Sequence, residues 1–247
     1  MRYNPAKHRL PPFNGYGVLL VDKPAGWTSF DVVNCLRGRF NIPKVGHCGT
    51  LDPAATGLLV MVLGKFTVLA AKFSGDDKVY EATLRLGVTT DSQDATGTVI
   101  EEKPYDHVTE EQIRAAFAAK VGKSMQLPPM VSAVKVDGKK LYELARKGIE
   151  IEREPREIEI YGLDVLKVAP PLVDFRVECS KGTYVRTLCH DIGAELGCGG
   201  TLERLVRTRC GRFELKDAIT VDAIKQMEPA QLANILHEGL MKLGGFA

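Results

Sequence analysis

The chain has no long apolar segment that would place it in a membrane or direct it for export. None of its apolar runs approaches the roughly 20 residues that a membrane-spanning helix needs. Residues 1–13 are polar and contain prolines, and they lack the apolar centre of a signal peptide. We therefore predict a cytoplasmic protein without a membrane partner.

Closely spaced cysteines are also missing. The six cysteines include no C-x-x-C pair, although Cys179, Cys189 and Cys198 are spread over a short segment that also contains His190. This spacing is unlike that of a structural zinc site. We therefore interpret the cysteines as reduced and mostly buried thiols rather than as metal ligands. The sequence predicts no bound metal.

Two common phosphate-binding patterns are absent as well. The segment from Gly57 to Lys65 has the wrong spacing for a Walker loop, and Phe66 stands where that loop needs Ser or Thr. No G-x-G-x-x-G segment follows a predicted strand. Nucleoside triphosphates and dinucleotides are therefore not indicated as cofactors.

The chain has little excess charge of either sign. Its 33 Lys and Arg and 31 Asp and Glu give a net charge of +2, which excludes a histone-like protein but not a nucleic-acid enzyme, because local basic surface matters more than the total. Its 247 residues, 45% of them hydrophobic, suit one large or two modest globular domains. One local cluster, Arg204, Arg207, Arg209 and Arg212, suggests phosphate contacts, with a solvated basic surface as the alternative.

What is present is a glycine-rich segment with a single carboxylate, residues 46–57. Because Gly allows backbone conformations closed to other residues and Pro fixes φ, the segment predicts a shaped loop that leads into a buried strand at 58–63. Asp52 lies in the middle of this loop and is a candidate nucleophile or base. The alternative is an Asp-Pro turn in which Asp52 bonds only to local backbone.

Hydrophobic periodicity outlines the other elements, with alternation predicting strands and helical spacing behind N-cap residues predicting helices. In the first helix the inner stripe is Phe30, Val33 and Leu36. The predicted strands are residues 17–22, 78–86, 156–168 and 172–179; the predicted helices start at Thr28 or Ser29, at Thr109, at Leu141, after Thr183, and twice within 220–243; residues 87–98 are predicted to form a polar loop.

Two side chains and one segment have two interpretations each, and a third side chain needs a partner. Lys23 could contact a phosphate or a buried carboxylate, or could be a solvated turn residue; Tyr80 could stack on a base or be an ordinary core tyrosine. Arg186 begins a helix and opposes its dipole, so it needs an acidic partner, for which Asp52 is a candidate. Residues 126–148 could form a mobile arm against a partner or an ordinary connection.

Several motifs, in the same order, resemble the TruB family of tRNA pseudouridine synthases over roughly residues 17–215. The matching segments are Leu20 to Pro24, Gly26 to Ser29, Gly46 to Gly57, Gly64-Lys65, Lys78 to Tyr80, Asp91 to Gly97, Gln126 to Tyr142, Cys179 to Arg186, and Leu205 to Arg207. Composition and periodicity do not show this relationship, which depends on the motifs alone.

The resemblance implies an enzyme that isomerises uridine to pseudouridine at position 55 in the T arm of tRNA, without a cofactor. It implies that Asp52 is the catalytic aspartate and that the base is flipped out of its stack. It further implies an active-site support role for Tyr80, Arg186, Lys23 and Leu205, and substrate or RNA binding by His47, Lys135, Tyr142, Arg146, Lys181 and Arg207.

The implied fold is the α+β pseudouridine synthase fold, a mixed and largely antiparallel sheet flanked by helices and loops. We expect a single catalytic domain over 1–247, with an arm at about 124–152 that closes over the T stem-loop, no C-terminal PUA domain, and a monomer. Cys48, Ala54 and Phe66 depart from the residues common in the family but carry no assigned role.

Two other functions compete with this one. The protein could be a tRNA-binding or folding factor whose catalysis is incidental, in which case substitution of Asp52 would leave its function intact. It could also isomerise other RNAs or free nucleosides, although the segment 126–148 offers a surface that a small substrate does not need.

Overall fold

The computed structural model describes residues 11–130, 135–136, 139–140, 149 and 151–242. The strands are β1 (Gly17–Lys23), β2 (Val45–Cys48), β3 (Thr56–Leu63), β4 (Lys78–Leu86), β5 (Val88–Thr90), β6 (Val99–Glu102), β7 (Gly122–Gln126), β8 (Lys135–Val136), β9 (Lys139–Lys140), β10 (Arg156–Ala169), β11 (Leu172–Cys179), β12 (Gly200–Cys210), β13 (Phe213–Glu214) and β14 (Ile219–Thr220).

The α-helices are α1 (Ser29–Phe40), α2 (Ala70–Ser74), α3 (Glu110–Ala118), α4 (Val185–Glu195), α5 (Val221–Gln226) and α6 (Pro229–Lys242), with 3₁₀ turns at Gly64–Leu69 and Leu215–Asp217.

The chain divides into two compact units. The first contains the chain up to Asp76 and from Val206 onward, and the second contains Asp77–Leu205. The chain therefore returns from the second unit to the first within strand β12. The single catalytic domain expected from the sequence stays a prediction.

Strand β3 is the centre of the first unit. Its residues 58–63 are completely buried, as expected for an unbroken apolar run that is covered on both faces. It pairs antiparallel with β1 and β2 and parallel with the end of β12. The predicted buried strand is confirmed, but the predicted loop is too long, because Gly46, His47 and Cys48 pair with β3 as part of β2.

Helix α1 confirms a predicted element and corrects one of its core positions. Thr28 and Asp31 form a capping box, in which the Thr28 side chain accepts from the N–H of Asp31 and the Asp31 carboxylate accepts from the N–H of Thr28. Val33 and Leu36 are buried as predicted, but Phe30 is 47% exposed. Val32 is buried in its place, so the inner stripe is rotated from the predicted one.

Four neighbouring strands of the second unit pair antiparallel, in the order β4, β11, β10, β7. The predicted strands at 78–86, 156–168 and 172–179 are all present. One alternating face of β11 is buried, and it consists of Val173, Phe175, Val177 and Cys179.

The remaining predictions have mixed outcomes. The helix predicted to start at Thr109 is confirmed, as are the two helices predicted within 220–243. The polar loop predicted at 87–98 is partly wrong, since Val88–Thr90 forms β5 and pairs with β6. Strands β8 and β9 pair antiparallel with each other, and the helix predicted from Leu141 lies outside the described residues.

The predicted fold class is confirmed. Most of the strand pairs between described residues of the main sheet are antiparallel, and the parallel pairs of β1 with β14 and of β3 with β12 make the sheet mixed.

Candidate active site

Asp52 lies in the short loop that joins β2 to β3, in the first unit. Its side chain is half-buried, and its backbone oxygen accepts a hydrogen bond of 3.1 Å from the N–H of Ala55. The next residue, Pro53, accepts a hydrogen bond of 2.8 Å from the N–H of Gly26. The loop is therefore a tight turn, and its carboxylate is partly open to solvent.

Lys23 anchors this loop from the end of β1. Its Nζ donates to the carbonyl oxygens of Trp27 (2.7 Å), Pro24 (2.9 Å) and Pro53 (3.3 Å). The side chain is completely buried, so the interpretation of Lys23 as a solvated turn residue is wrong. Burial lowers the pKa of Lys23 to about 8, and the carboxylate of Asp52 acts in the opposite direction.

Ser29, the first residue of α1, holds the middle of the same loop. Its Oγ accepts a hydrogen bond of 2.9 Å from the N–H of Leu51 and donates one of 3.2 Å to the Leu51 carbonyl oxygen. Both side chains are buried. The residue immediately before Asp52 is thus fixed by a helix that the capping box of Thr28 starts at this point.

Arg207 holds the beginning of the loop. Its Nη2 donates to the carbonyl oxygen of Gly49 (3.1 Å) and its Nε to that of Leu58 (2.7 Å). The side chain is 1% exposed. A guanidinium buried in this way is not part of a solvated basic surface, so that interpretation is wrong for Arg207, and its role in RNA binding stays a prediction.

His47 comes just before the loop, in β2. It is partly exposed, but its Nδ1 is buried and has no hydrogen-bond partner among the described residues. Burial lowers the pKa of His47, and the positive charge of Arg207 lowers it further. The imidazole is therefore held neutral near pH 7. In this state one ring nitrogen can donate a hydrogen bond and the other can accept one.

Arg186 has an acidic neighbour within the second unit. Its Nη1 is 3.7 Å from Oδ2 of Asp94 and donates a 3.4 Å hydrogen bond to the carbonyl oxygen of Ser92. The other carboxylate oxygen of Asp94 accepts from the Oγ of Ser92 and from the N–H and Oγ1 of Thr96. A carboxylate bonded in this way is well oriented for a cation.

Sequence reasoning missed Asp94 as a functional candidate. The signal available was the run of Ser, Thr and Asp residues between Asp91 and Gly97, since such side chains readily bond to nearby backbone in loops. The expectation that Arg186 needs an acidic partner is confirmed by Asp94. The pairing of Arg186 with Asp52 stays a prediction.

The N-terminus of α4, which carries Arg186, is fixed by a buried glutamine. Gln126 donates through Nε2 to the carbonyl oxygen of Tyr184 (3.0 Å) and accepts through Oε1 from the N–H of Tyr184 (2.8 Å). The Arg186 guanidinium lies 5.7 Å from the centre of the Tyr184 ring, within the range of a cation–π contact.

The other candidates in the second unit differ in exposure. Tyr80 is 8% exposed in β4, opposite Val177 of β11. Leu205 is half-buried in β12, and Lys181 is exposed in the turn before α4. Lys135 is in β8, and Tyr142 and Arg146 lie outside the described residues.

The described residues contain no group of three or more His, Cys, Asp or Glu side chains that could hold a metal ion. Within the same part of the chain, no helix has the length and apolar character to span a membrane.

Family models cover most of the chain. The model of the TruB family pseudouridylate synthase N-terminal domain matches residues 37–185, and that of the tRNA pseudouridylate synthase B C-terminal domain matches 186–239. The chain belongs to the TruB family of pseudouridylate synthases. The predicted family and the predicted enzyme class, an isomerase, are thereby confirmed.

Individual TruB relatives are similar over most of the chain. The tRNA pseudouridine synthase B of Opitutus terrae is 52% identical over 211 residues, which are 85% of this chain and 88% of that protein. The protein of the same name from Syntrophotalea carbinolica is 48% identical over 220 residues, or 89% of this chain and 72% of that one.

Solved structures support the TruB-type fold. A chain of a Cbf5-Nop10-Gar1 complex superposes with a TM-score of 0.67 at 32% identity, covering 85% of this chain and 55% of that chain. A chain of an archaeal box H/ACA sRNP Nop10-Cbf5 complex also has a TM-score of 0.67, at 26% identity, covering 92% of this chain and 60% of that one. The present chain thus spans somewhat more than half the length of these solved chains.

Proposed function

We propose that this protein isomerises uridine to pseudouridine at position 55 in the T arm of tRNA, with Asp52 as the catalytic residue. The observation that carries the proposal is the loop of Asp52, in which a partly exposed carboxylate is flanked by Leu51 and Pro53, both hydrogen-bonded to buried side chains. Family membership over 37–239 supports the reaction class.

The reaction requires little chemical machinery. The bond between N1 of uracil and C1′ of the ribose breaks, the base turns over, and C5 bonds to C1′ in its place. N1 gains the proton that C5 loses, so no electrons are exchanged and no cofactor is needed. One carboxylate is sufficient, whether Asp52 attacks the sugar, attacks the base or removes a sugar proton.

The other site residues would serve the flipped nucleotide. Extrusion of a base costs a few kcal/mol, and stacking on Tyr80 would return only about 1–3 kcal/mol. His47, neutral and partly exposed, is suited to occupy or contact the vacated space. Arg186, oriented by Asp94, would keep the catalytic carboxylate ionised.

The proposal includes its biological setting. We take the T stem-loop of tRNA as the partner, with exposed Lys181 as a phosphate contact. We further propose that the enzyme acts as a monomer in the cytoplasm, as a single catalytic domain whose arm at about 124–152 closes over the RNA.

The test uses the purified protein and an unmodified tRNA transcript, with pseudouridine located by carbodiimide-stop sequencing. We expect a stop at position 55 with the wild-type protein. Asp52→Asn should reduce the rate of pseudouridine formation on the order of 10⁴-fold or more, because the amide can neither attack nor accept a proton. Asp164→Asn, at an exposed position of β10, is the matched control and should retain full activity.

Other outcomes would change the proposal in different ways. A stop elsewhere in the transcript would keep the chemistry and overturn the substrate position. No stop with either protein, despite binding of the tRNA, would favour the tRNA-binding or folding factor. Full activity of Asp52→Asn would remove Asp52 from the reaction.

A further inference from the structure

The loop that contains Asp52 is held at alternate residues by three buried side chains. Arg207 bonds to Gly49, Ser29 to Leu51, and Lys23 to Pro53. These three side chains come from β12, α1 and β1, and each is at most 2% exposed. The polypeptide on both sides of Asp52 is thereby fixed, while the Asp52 side chain itself remains partly exposed.

We infer that Arg207 and Ser29 are positioning residues that set the location of the Asp52 carboxylate, and that Arg207 has no role in contacting RNA. This inference rests on the proposed function, in which Asp52 is the catalytic residue. It assigns to Arg207 a role unlike the phosphate contact that its basic surroundings in the sequence suggest.

Strand pairing puts Arg207 in the right place for this role. In the sheet of the first unit, Gly57 of β3 lies opposite Lys23 of β1 on one side and opposite Arg207 of β12 on the other. Lys23, Gly57 and Arg207 therefore lie in one row across the sheet, at the point where the loop enters β3. Both turn their side chains to carbonyl oxygens of the loop.

The two hydrogen bonds of Arg207 need the shape of a guanidinium. One carbonyl lies at the start of the loop, at Gly49, and the other beyond its end, at Leu58, and two different nitrogens reach them. A lysine would supply the charge at this site but not two donors at fixed, divergent positions. The interaction therefore ties together the two ends of the Asp52 loop.

The inference predicts a particular kinetic signature for Arg207→Met. If the loop shifts by even an ångström, the rate of the chemical step should fall about 100-fold, whereas tRNA affinity should change little. We expect kcat to fall and KM to stay within about twofold, since uniform binding is not lost. Arg85→Met is the matched control, because that arginine is exposed and forms a surface ion pair with Glu203.

Binding measurements separate positioning from phosphate contact. With Asp52→Asn as the background, so that no turnover occurs, the Kd for tRNA is measured over a range of salt concentrations. Loss of a phosphate contact lowers the slope of log Kd against log salt by about one. We expect Arg207→Met to leave this slope unchanged, and a reduced slope with raised Kd would overturn the inference.

Two further variants keep the inference testable if Arg207→Met folds poorly. Arg207→Lys keeps the charge, and we expect it to remain slow; full recovery of kcat would show that charge rather than geometry matters. Ser29→Ala removes only one hydroxyl, and we expect a smaller fall in kcat at unchanged KM. An unchanged kcat for Ser29→Ala would remove Ser29 from the positioning set.

Hydrogen exchange tests the same inference without any assumption about the reaction. Amides of residues 49–57 should exchange faster in Arg207→Met than in the wild-type protein or in Arg85→Met, and those of β4 should not. If the wild-type protein makes no pseudouridine, the proposed function fails but the exchange result still decides whether Arg207 holds the loop. Unchanged exchange in the loop would overturn the inference.

Discussion

Replacement of Gly57 by alanine should strongly destabilise the first unit and displace the Asp52 loop. Gly57 has φ of +95° and is the second residue of β3, directly after the loop. A Cβ atom built at this position would lie 2.5 Å from the carbonyl oxygen of Arg207 and 2.9 Å from its nitrogen. Because these are backbone atoms, they cannot move aside by a change of rotamer.

The cost of Gly57→Ala has two parts. The positive φ should cost about 1–2 kcal/mol for a residue with a side chain. The close contact forces β3 and β12 apart, as overpacking does, and this should cost a further 1–3 kcal/mol or so. We therefore expect the free energy of unfolding to fall by about 2–5 kcal/mol, measured by urea denaturation with circular dichroism as the signal.

Gly26→Ala provides the matched control for the first of these two parts. Gly26 also has a positive φ, of +79°, and also belongs to the first unit, but a Cβ atom there would have no neighbour within 4 Å. The free energy of unfolding of Gly26→Ala should therefore fall by only about 1–2 kcal/mol. If Gly57→Ala proved no more destabilising than Gly26→Ala, the close approach of β3 and β12 would not constrain this position, and the reasoning would be refuted.

Two further predictions concern titration and thiol reactivity. Burial lowers the pKa of Lys23 from 10.5 to about 8, so between these pH values the unfolded chain holds a proton that the folded chain has released. The free energy of unfolding of the wild-type protein should therefore rise across this pH window by about 3 kcal/mol relative to that of Lys23→Met. Parallel curves of unfolding free energy against pH for the two proteins would contradict this. Of the six cysteines, Cys35 is half-buried and the other five are buried. In the native protein no more than one thiol should therefore react with DTNB, and slowly, because burial raises the pKa of Cys35, whereas all six should react in denaturant. Rapid reaction of several thiols in the native protein would be incompatible with the structure.

Much of the fold could be predicted because its signals are local. The alternation in β4 and β11, the apolar run in β3 and the capping residues of α1 and α3 each specify an element within about ten residues of sequence. The errors arose where tertiary packing decides. Phe30 has the right spacing for the inner stripe of α1 but is exposed, and residues 46–48 form a strand only because β3 offers them an edge.

The residues that hold the candidate site were harder to predict because their partners are distant in sequence. Lys23 is next to a Pro-Ala-Gly turn, which is typical of a solvated residue, yet it is completely buried and one of its three carbonyl partners, Pro53, is 30 residues away. Asp94 is likewise one of several polar residues in a loop until α4 brings Arg186 to within 3.7 Å of it. No local pattern distinguishes such residues from their neighbours.

Arg207 shows the same limit most clearly, and it indicates what the first unit is built to do. By sequence it is one of four clustered arginines, yet it is 1% exposed, while Arg204 and Arg212 are exposed. Burying a guanidinium costs several kcal/mol unless its donors are satisfied, and Arg207 directs two of them to backbone carbonyls at either end of one loop. A hydrophobic residue would fill the space at lower cost in desolvation, so the benefit of arginine at this position lies in the geometry it imposes on the loop that carries Asp52.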